Sequence, residues 1–476
     1  MDEHPNPTDA PDGGEGRAIP QGRLRRSLPL AGFSARTAGE AVVASLARGP
    51  RRRENFERLH ERTAERYVEL LGNSRGALMK VGQLMSAFDV SALEHAPALE
   101  VYRSALERLQ ADAPAMAASL ARSTIEDGLG RPIDEVFATF DDHHLAAASI
   151  GQVHAATLPD GREVAVKVQY PGVSDAVRAD VANTELLFAF CRILGAVVPG
   201  SSIDFRSVGE EAAARILEEL DYRHEAANIT VFAERYRGHP FIRVPDVVPE
   251  ASSGSVLTMT RLHGRRLGEV LDASQATKDR WGEILFRFAN GSRGTDRMVH
   301  TDPNPANYLF ADDGTVGFVD FGCVKRFDED EYALVHDYNW AVIEGDAPRL
   351  RRLMIDGNIL RPDSDLGAEE LLEWARLPIP ALTSPQPFTV TPEYFNEAGP
   401  VAMMPRGPQR RIAGQLNLPP AFLFVSRLDV GLHGTLARLR ATADWRAVYE
   451  ELDGRGPPVG ELGELDAAWT RERAQA

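Results

Sequence analysis

Residues 299–307, reading VHTDPNPAN, limit the fold of this chain more than any other stretch. An H-x-D-x-x-x-x-N loop brings one carboxylate and one amide within reach of a common point. Two apolar runs follow, Tyr308 to Phe310 and Val316 to Val319, joined by Asp312, Asp313 and Gly314, and they read as a hairpin. The hairpin turns the chain back, so Asp320 of Asp320-Phe321-Gly322 arrives near that point eighteen residues after Asp302. Such a set suits a divalent cation bound to phosphate. Mg2+ takes hard oxygen ligands, commonly one or two protein groups plus phosphate, and Asn307 with Asp320 can supply them. Asp302 is then left beside an attacking hydroxyl or water, whose proton it accepts or orients. The tripeptide alone is weak, since it arises by chance in turns; its spacing from the loop carries the reading.

A phosphate site of this kind also needs a cation on a rigid strand. Val164, Val166 and Val168 alternate with Ala165 and Lys167, so Lys167 is placed on a strand that follows the turn Pro159-Asp160-Gly161. A strand lysine is usually a solvated edge residue; here the chain order lifts it, because a strand lysine, a helix carboxylate, HxDxxxxN and DFG succeed one another as in a kinase-like nucleotide site. The expected carboxylate is Glu225, within EELDYRHEAAN, with Asp221 on the same helical face and Glu219 pointing elsewhere. His224 and Glu225 open an HExx pattern, but Asn228 stands where a second histidine would bind zinc. The loop before Lys167 is rich in alanine rather than glycine (Ala146, Ala147, Ala148, Ser149, Ile150, Gly151), which predicts a stiffer phosphate contact. His154 has no partner at ligand spacing and reads as structural.

The rest of the chain narrows the alternatives. Its 476 residues suffice for two or three domain-sized units, and 53 basic against 70 acidic residues give a net charge of −17, which disfavours nucleic acid as the main partner. Two distant cysteines, Cys191 and Cys323, form neither a disulfide framework nor a zinc cluster, so a cytoplasmic setting is expected. The longest apolar run, Leu186 to Val198, is short and broken by Arg192, so no spanning helix is predicted. Arg25 and Arg26 are not followed by an apolar export signal. Residues 1–22 read as a disordered tail, and residues 23–53 as a basic, partly apolar segment able to lie on anionic lipid or to dock on its own domain. Helical periodicity runs from Phe56 to about residue 128, and again over residues 173–235; residues 242–248 and 256–260 read as strands.

With these parts in view, the chain resembles the UbiB/AarF/ADCK family of atypical protein-kinase-like proteins over roughly residues 56–452. Its KxGQ motif matches Lys80 to Gln83, its alanine-rich loop AAASIGQVHAA, its ExD motif Glu219 to Asp221, and its catalytic loop TDPNPAN, in a form closer to the ADCK branch. The resemblance implies an α+β, bilobal kinase-like fold: a helical extension over 54–140, an N-lobe with a small antiparallel sheet and a helical insert over 141–262, a helical C-lobe over 263–452, and a C-terminal tail over 453–476. It implies ATP or ADP as ligand, with Mg2+, or Mn2+ in its place, on Asn307 and Asp320. Lys167 and Glu225 become the nucleotide-lysine pair and Asp302 the catalytic-loop aspartate. Lys80 and Gln83 would cover the nucleotide with Glu219 and Asp221, alongside Ala146, Ala147, Ala148, Ser149 and Gly151. ATPase or small-molecule and lipid phosphotransfer, support of isoprenoid-quinone biosynthesis, and peripheral contact with anionic lipid, isoprenoid lipid or quinone-biosynthesis proteins follow from the same likeness. Phosphorylation of proteins in trans does not fit it. The chain departs from the family in lacking a spanning segment and in carrying Thr260 in the hinge strand. A catalytically silent, nucleotide-gated scaffold at a membrane surface is the alternative; an ordinary small-molecule phosphotransferase is disfavoured by the KxGQ and alanine-rich motifs.

Overall fold

In a computed structural model, the described residues are 116–148, 150–181, 217–395, 411–412, 414–417 and 419–475. The expectations for residues 1–22, 23–53, Lys80, Gln83, Ser149 and Cys191 lie outside them. α1 (Ala118–Leu129) and a single turn, α2 (Ile133–Val136), lead into β1 (Thr139–Ala148), β2 (Gly151–Thr157) and β3 (Glu163–Gln169). α3 (Val173–Val181), α4 (Tyr222–Arg235), the two-residue β4 (Ile242–Arg243) and β5 (Val256–Thr260) follow.

Period-two alternation organises the first sheet. Val164, Val166 and Val168 are fully buried on one face of β3, whereas Ala165 and Lys167 take the other. The four strands pair antiparallel in the order β1-β2-β3-β5. The register aligns Ala146, Val153, Lys167 and Leu257 in one cross-strand row, so these side chains share a face. α1 packs on the sheet through Ala121 and Ile125, both fully buried in the core that holds the valines.

After β5 the chain becomes mainly helical: α5 (Gln275–Asp296), β6 (Met298–His300), β7 (Tyr308–Phe310), β8 (Val316–Phe318), β9 (Val324–Arg326), α6 (Glu329–Glu344), α7 (Ala347–Asp356), α8 (Ala368–Arg376), α9 (Pro380–Thr383), β10 (Phe388–Thr389), α10 (Pro420–Leu439), β11 (Thr442–Ala443), α11 (Trp445–Leu452) and α12 (Gly460–Gln475). The kinase-like α+β fold is therefore present. The expected hairpin forms as β7 and β8, and β4 adds to it in parallel. The longer strand expected over residues 242–248 shrinks to β4 plus an isolated bridge from Val247 to Met259. Short β6 and β9 pair with each other and bracket the TDPNPAN loop and the DFG segment. Asp328 caps α6 in a reciprocal box with Glu331, so the chain enters helix directly after β9.

The stretch expected as a C-terminal tail contains α12, with Leu462 buried and Trp469 edge-on to His239 at 4.6 Å. Trp469 and Arg473 donate to the backbone carbonyls of Arg237 and Arg235, at the end of α4.

Candidate active site

The Lys167 ammonium donates to both oxygens of Glu225, at 2.9 and 2.8 Å, and to Asp320 at 3.2 Å. Lys167 and Glu225 retain 8% and 5% of their side-chain exposure, so neither charge can be left without the other; Asp320, at 38%, opens to the cleft. Burial alone would lower the Lys167 pKa, but Asp320 and Glu225 outweigh it and hold it well above the usual value. Burial pushes Glu225 up to about 7 against the pull of Lys167. α4 fixes this geometry from a second residue as well, since Asn228 donates to the Phe321 carbonyl at 3.0 Å. Phe321 is fully buried against Phe232 of α4 and edge-on to His300.

Asp320 sits at a bend beyond β8 rather than inside a strand, with φ of 69°, a left-handed conformation that aspartate tolerates better than most residues. Two bonds hold it there: His300 Nε2 donates to its carbonyl at 2.7 Å, and Gly322 N–H donates to its carboxylate at 3.2 Å. The TDPNPAN loop turns through Pro305–Asn307, capped by the Asn304 side chain. Asn307 Nδ2 donates to Asp302 Oδ2 at 2.8 Å. A carboxylate only accepts, so the amide nitrogen is the atom facing Asp302 and the amide oxygen is left for another partner. Arg427 of α10, which sequence reasoning missed, donates to Asp302 Oδ1 at 2.7 Å.

Two placements correct the sequence reading. Asp221 does not share the helical face of Glu225: it is the N-cap of α4, with φ −122° and ψ 104°, and its side chain accepts from Arg223 N–H. Glu219 takes the inward position instead. A Cβ built on Gly322 would lie 3.8 Å from both Glu219 Cγ and Glu225 Oε2. The alanine stretch is also not a free loop, because Ala146, Ala147 and Ala148 pair with Val153, Gln152 and Gly151 at the tip of a β-hairpin. Ala146 and Ala148 share the Lys167 face and Ala147 takes the opposite one. Gly151 is required by close approach, since a Cβ there would stand 2.0 Å from the Val168 carbonyl oxygen. His154 is buried and bonded to Gln152 and to the Asp141 carbonyl, a structural role.

The side-chain oxygens of Asn307 and Asp320 are hard donors and suit Mg2+ or Mn2+ better than a thiolate-seeking ion. Among the described residues, no group of three or more His, Cys, Asp or Glu is placed to hold a metal ion.

A family model described as the ABC1 atypical kinase-like domain matches residues 108–354, and the chain belongs to this atypical kinase family, the UbiB/AarF/ADCK group. The match does not reach Lys80 and Gln83. "Atypical kinase COQ8B, mitochondrial" of Rattus norvegicus is 34% identical over 322 residues, covering 65% of this chain and 58% of the relative. "Atypical kinase COQ8, mitochondrial" of Saccharomyces cerevisiae is 30% identical over 317 residues, covering 66% and 61%. The chain thus spans about three fifths of the length of these two relatives. Among solved structures, the Rv3197–erythromycin complex from Mycobacterium tuberculosis aligns with a TM-score of 0.59 and 30% identity, over 84% of this chain and 97% of that one.

Proposed function

We propose that the chain is an ATP-binding, divalent-metal-dependent enzyme that hydrolyses ATP or passes its terminal phosphoryl group to a small or lipid-derived acceptor. A setting in isoprenoid-quinone or other lipid-related metabolism follows from the family likeness. The observation that carries the reading is the convergence of Lys167, Glu225 and Asp320 within 2.8–3.2 Å. Asp302 and Asn307 stand in the adjoining loop.

In this reading Lys167, held by Glu225, meets the α and β phosphates along the hairpin tip at Ala146, Ala148 and Gly151. Asn307 and Asp320 would hold the cation, which would supply positive charge against the phosphate oxygens. An oxygen of water or of an acceptor hydroxyl bonds to the γ-phosphorus, while the bond from that phosphorus to the bridging oxygen breaks and its electron pair leaves on ADP. Asp302 orients the attacking group and takes its proton. Lys80 and Gln83 would cover the nucleotide beside Glu219, with Asp221 at the rim. The passage from Gly322 through β9 into α6 leaves little chain to seat a peptide, which supports an acceptor other than a protein. No helix among the described residues is long and apolar enough to cross a membrane. A cytoplasmic protein with peripheral membrane contact through residues 23–53 is the matching localisation.

The test is phosphate release from ATP by the full chain with Mg2+, with Mn2+ and with EDTA, each with and without anionic liposomes. Release that requires the cation is expected. Thermal protection by nucleotide with no release under any condition would contradict turnover and favour a nucleotide-gated scaffold.

A further inference from the structure

The loop TDPNPAN contains no lysine or arginine. A phosphoryl group in transfer spreads negative charge over its oxygens, and fixed cations aimed at that charge are a large part of catalysis. Lys167 is already engaged with Glu225 and Asp320. Arg427 brings a second cation to the loop from α10, in a different part of the sequence.

Three observations show that it is built in. First, α10 is seated on the loop itself: a Cβ on Gly431 would lie 2.2 Å from Pro303 Cγ, so one turn beyond Arg427 the helix admits only glycine. Second, Arg427 and Asn307 hold the Asp302 carboxylate from its two oxygens, fixing one orientation. Third, the guanidinium is deeply placed, with 11% of its side chain exposed, yet its other nitrogens are lightly engaged. Nη1 reaches the Cys323 sulfur at 3.8 Å, and Nε has no partner among the described residues.

We propose that Arg427 is the second fixed cation of the phosphoryl-transfer site, orienting Asp302 through Nη2 and offering its other Nη N–H groups to the oxygens of the terminal phosphate. The inference rests on the ATP-binding reading above and specifies which residue distinguishes ATP from ADP there.

The test uses the full chain, Arg427→Ala and Arg427→Lys, with two readouts: steady-state phosphate release from ATP with Mg2+, and thermal protection by ATP against ADP. Arg427→Ala is expected to lower kcat by roughly 100-fold and to raise KM for ATP as the contact to the terminal phosphate is lost, and Arg427→Lys to recover part of both. In the variant, protection by ATP should fall to the level given by ADP. A kcat equal to the parent's with the ATP preference intact would overturn the proposal. So would a faster rate, which would make Arg427 a brake, or equal loss of protection by both nucleotides, which would make it structural. If the parent binds nucleotide without turnover, the ATP-over-ADP difference alone decides. A parent that binds neither nucleotide sinks the ATP-binding reading itself, a result separable from any behaviour of the variants.

Discussion

Arg287 and Lys167 are both buried cations set among carboxylates, Glu283, Glu451 and Asp466 for the first and Glu225 and Asp320 for the second, and they differ in what their surroundings leave for a ligand. Arg287, 1% exposed, makes four hydrogen bonds: to Glu283, to both oxygens of Glu451 and to the Val459 carbonyl. Glu451 in turn accepts from Val459 N–H. That cluster joins α5, α11 and the start of α12 and is closed. The Lys167 cluster is open on one side: Glu225 is buried in the ion pair, whereas Asp320 keeps 38% of its side chain exposed. Burial of charge alone therefore does not separate the two clusters; a carboxylate exposed to the cleft does.

The largest effect that sharpens this contrast is Lys167→Met. It leaves Glu225 and Asp320 facing each other without a cation, and phosphate release should fall on the order of 1000-fold, with loss of thermal protection by nucleotide. Retention of both would dissolve the difference between the two clusters. Arg287→Met should act on stability instead, costing about 3–5 kcal/mol in urea unfolding because it strands buried Glu451, while the folded fraction keeps its KM for ATP. A change in KM without a loss of stability would place Arg287 in the site. Gly431→Ala lies between the two: the added methyl pushes α10 off Pro303, costing about 1–3 kcal/mol and carrying Arg427 away from Asp302, so rate and stability should fall together.

The smallest effect is in pH. His239 Nδ1 faces the backbone N–H groups of Phe241 and Ile242, so Nε2 carries the proton given to Asp466. Burial lowers its pKa below 6.5, against the opposing pull of Asp466. The unfolded chain therefore binds this proton more readily, and the contribution is complete above 6.5 and lost as pH falls through the folded value. Across that range Tm of the parent should drop more than Tm of His239→Gln; parallel curves would remove His239 from the account of α12 docking.

Much of the site was legible in the sequence because its parts are short-range or strictly patterned. Asp302, Asn307 and Asp320 are separated by one hairpin, and the valine alternation around Lys167 assigns it to the face opposite the core. Glu225 followed from chain order. Its neighbours did not, because the helical-face argument assumed that the helix includes Asp221, whereas the helix begins at Tyr222 and the capping residue leaves helical geometry. That single offset exchanged the roles of Asp221 and Glu219. Alanines 146–148 looked like a loop because nothing local distinguishes a hairpin tip from a coil; pairing with β2 decides it. Arg427 carried no signal at all. It is one arginine on a long helix, 125 residues after Asp302, and only the packing of Gly431 on Pro303 brings it home.

The most direct test of the contrast compares Asp320→Asn with the parent in two measurements on the same samples, phosphate release from ATP with Mg2+ and thermal unfolding without nucleotide. The expected result is release lost by on the order of 1000-fold with Tm unchanged or raised, because a residue poised for a ligand adds little to the fold. Full release by Asp320→Asn, or a collapse in Tm like that of Arg287→Met, would contradict it and make the Lys167 cluster structural as well.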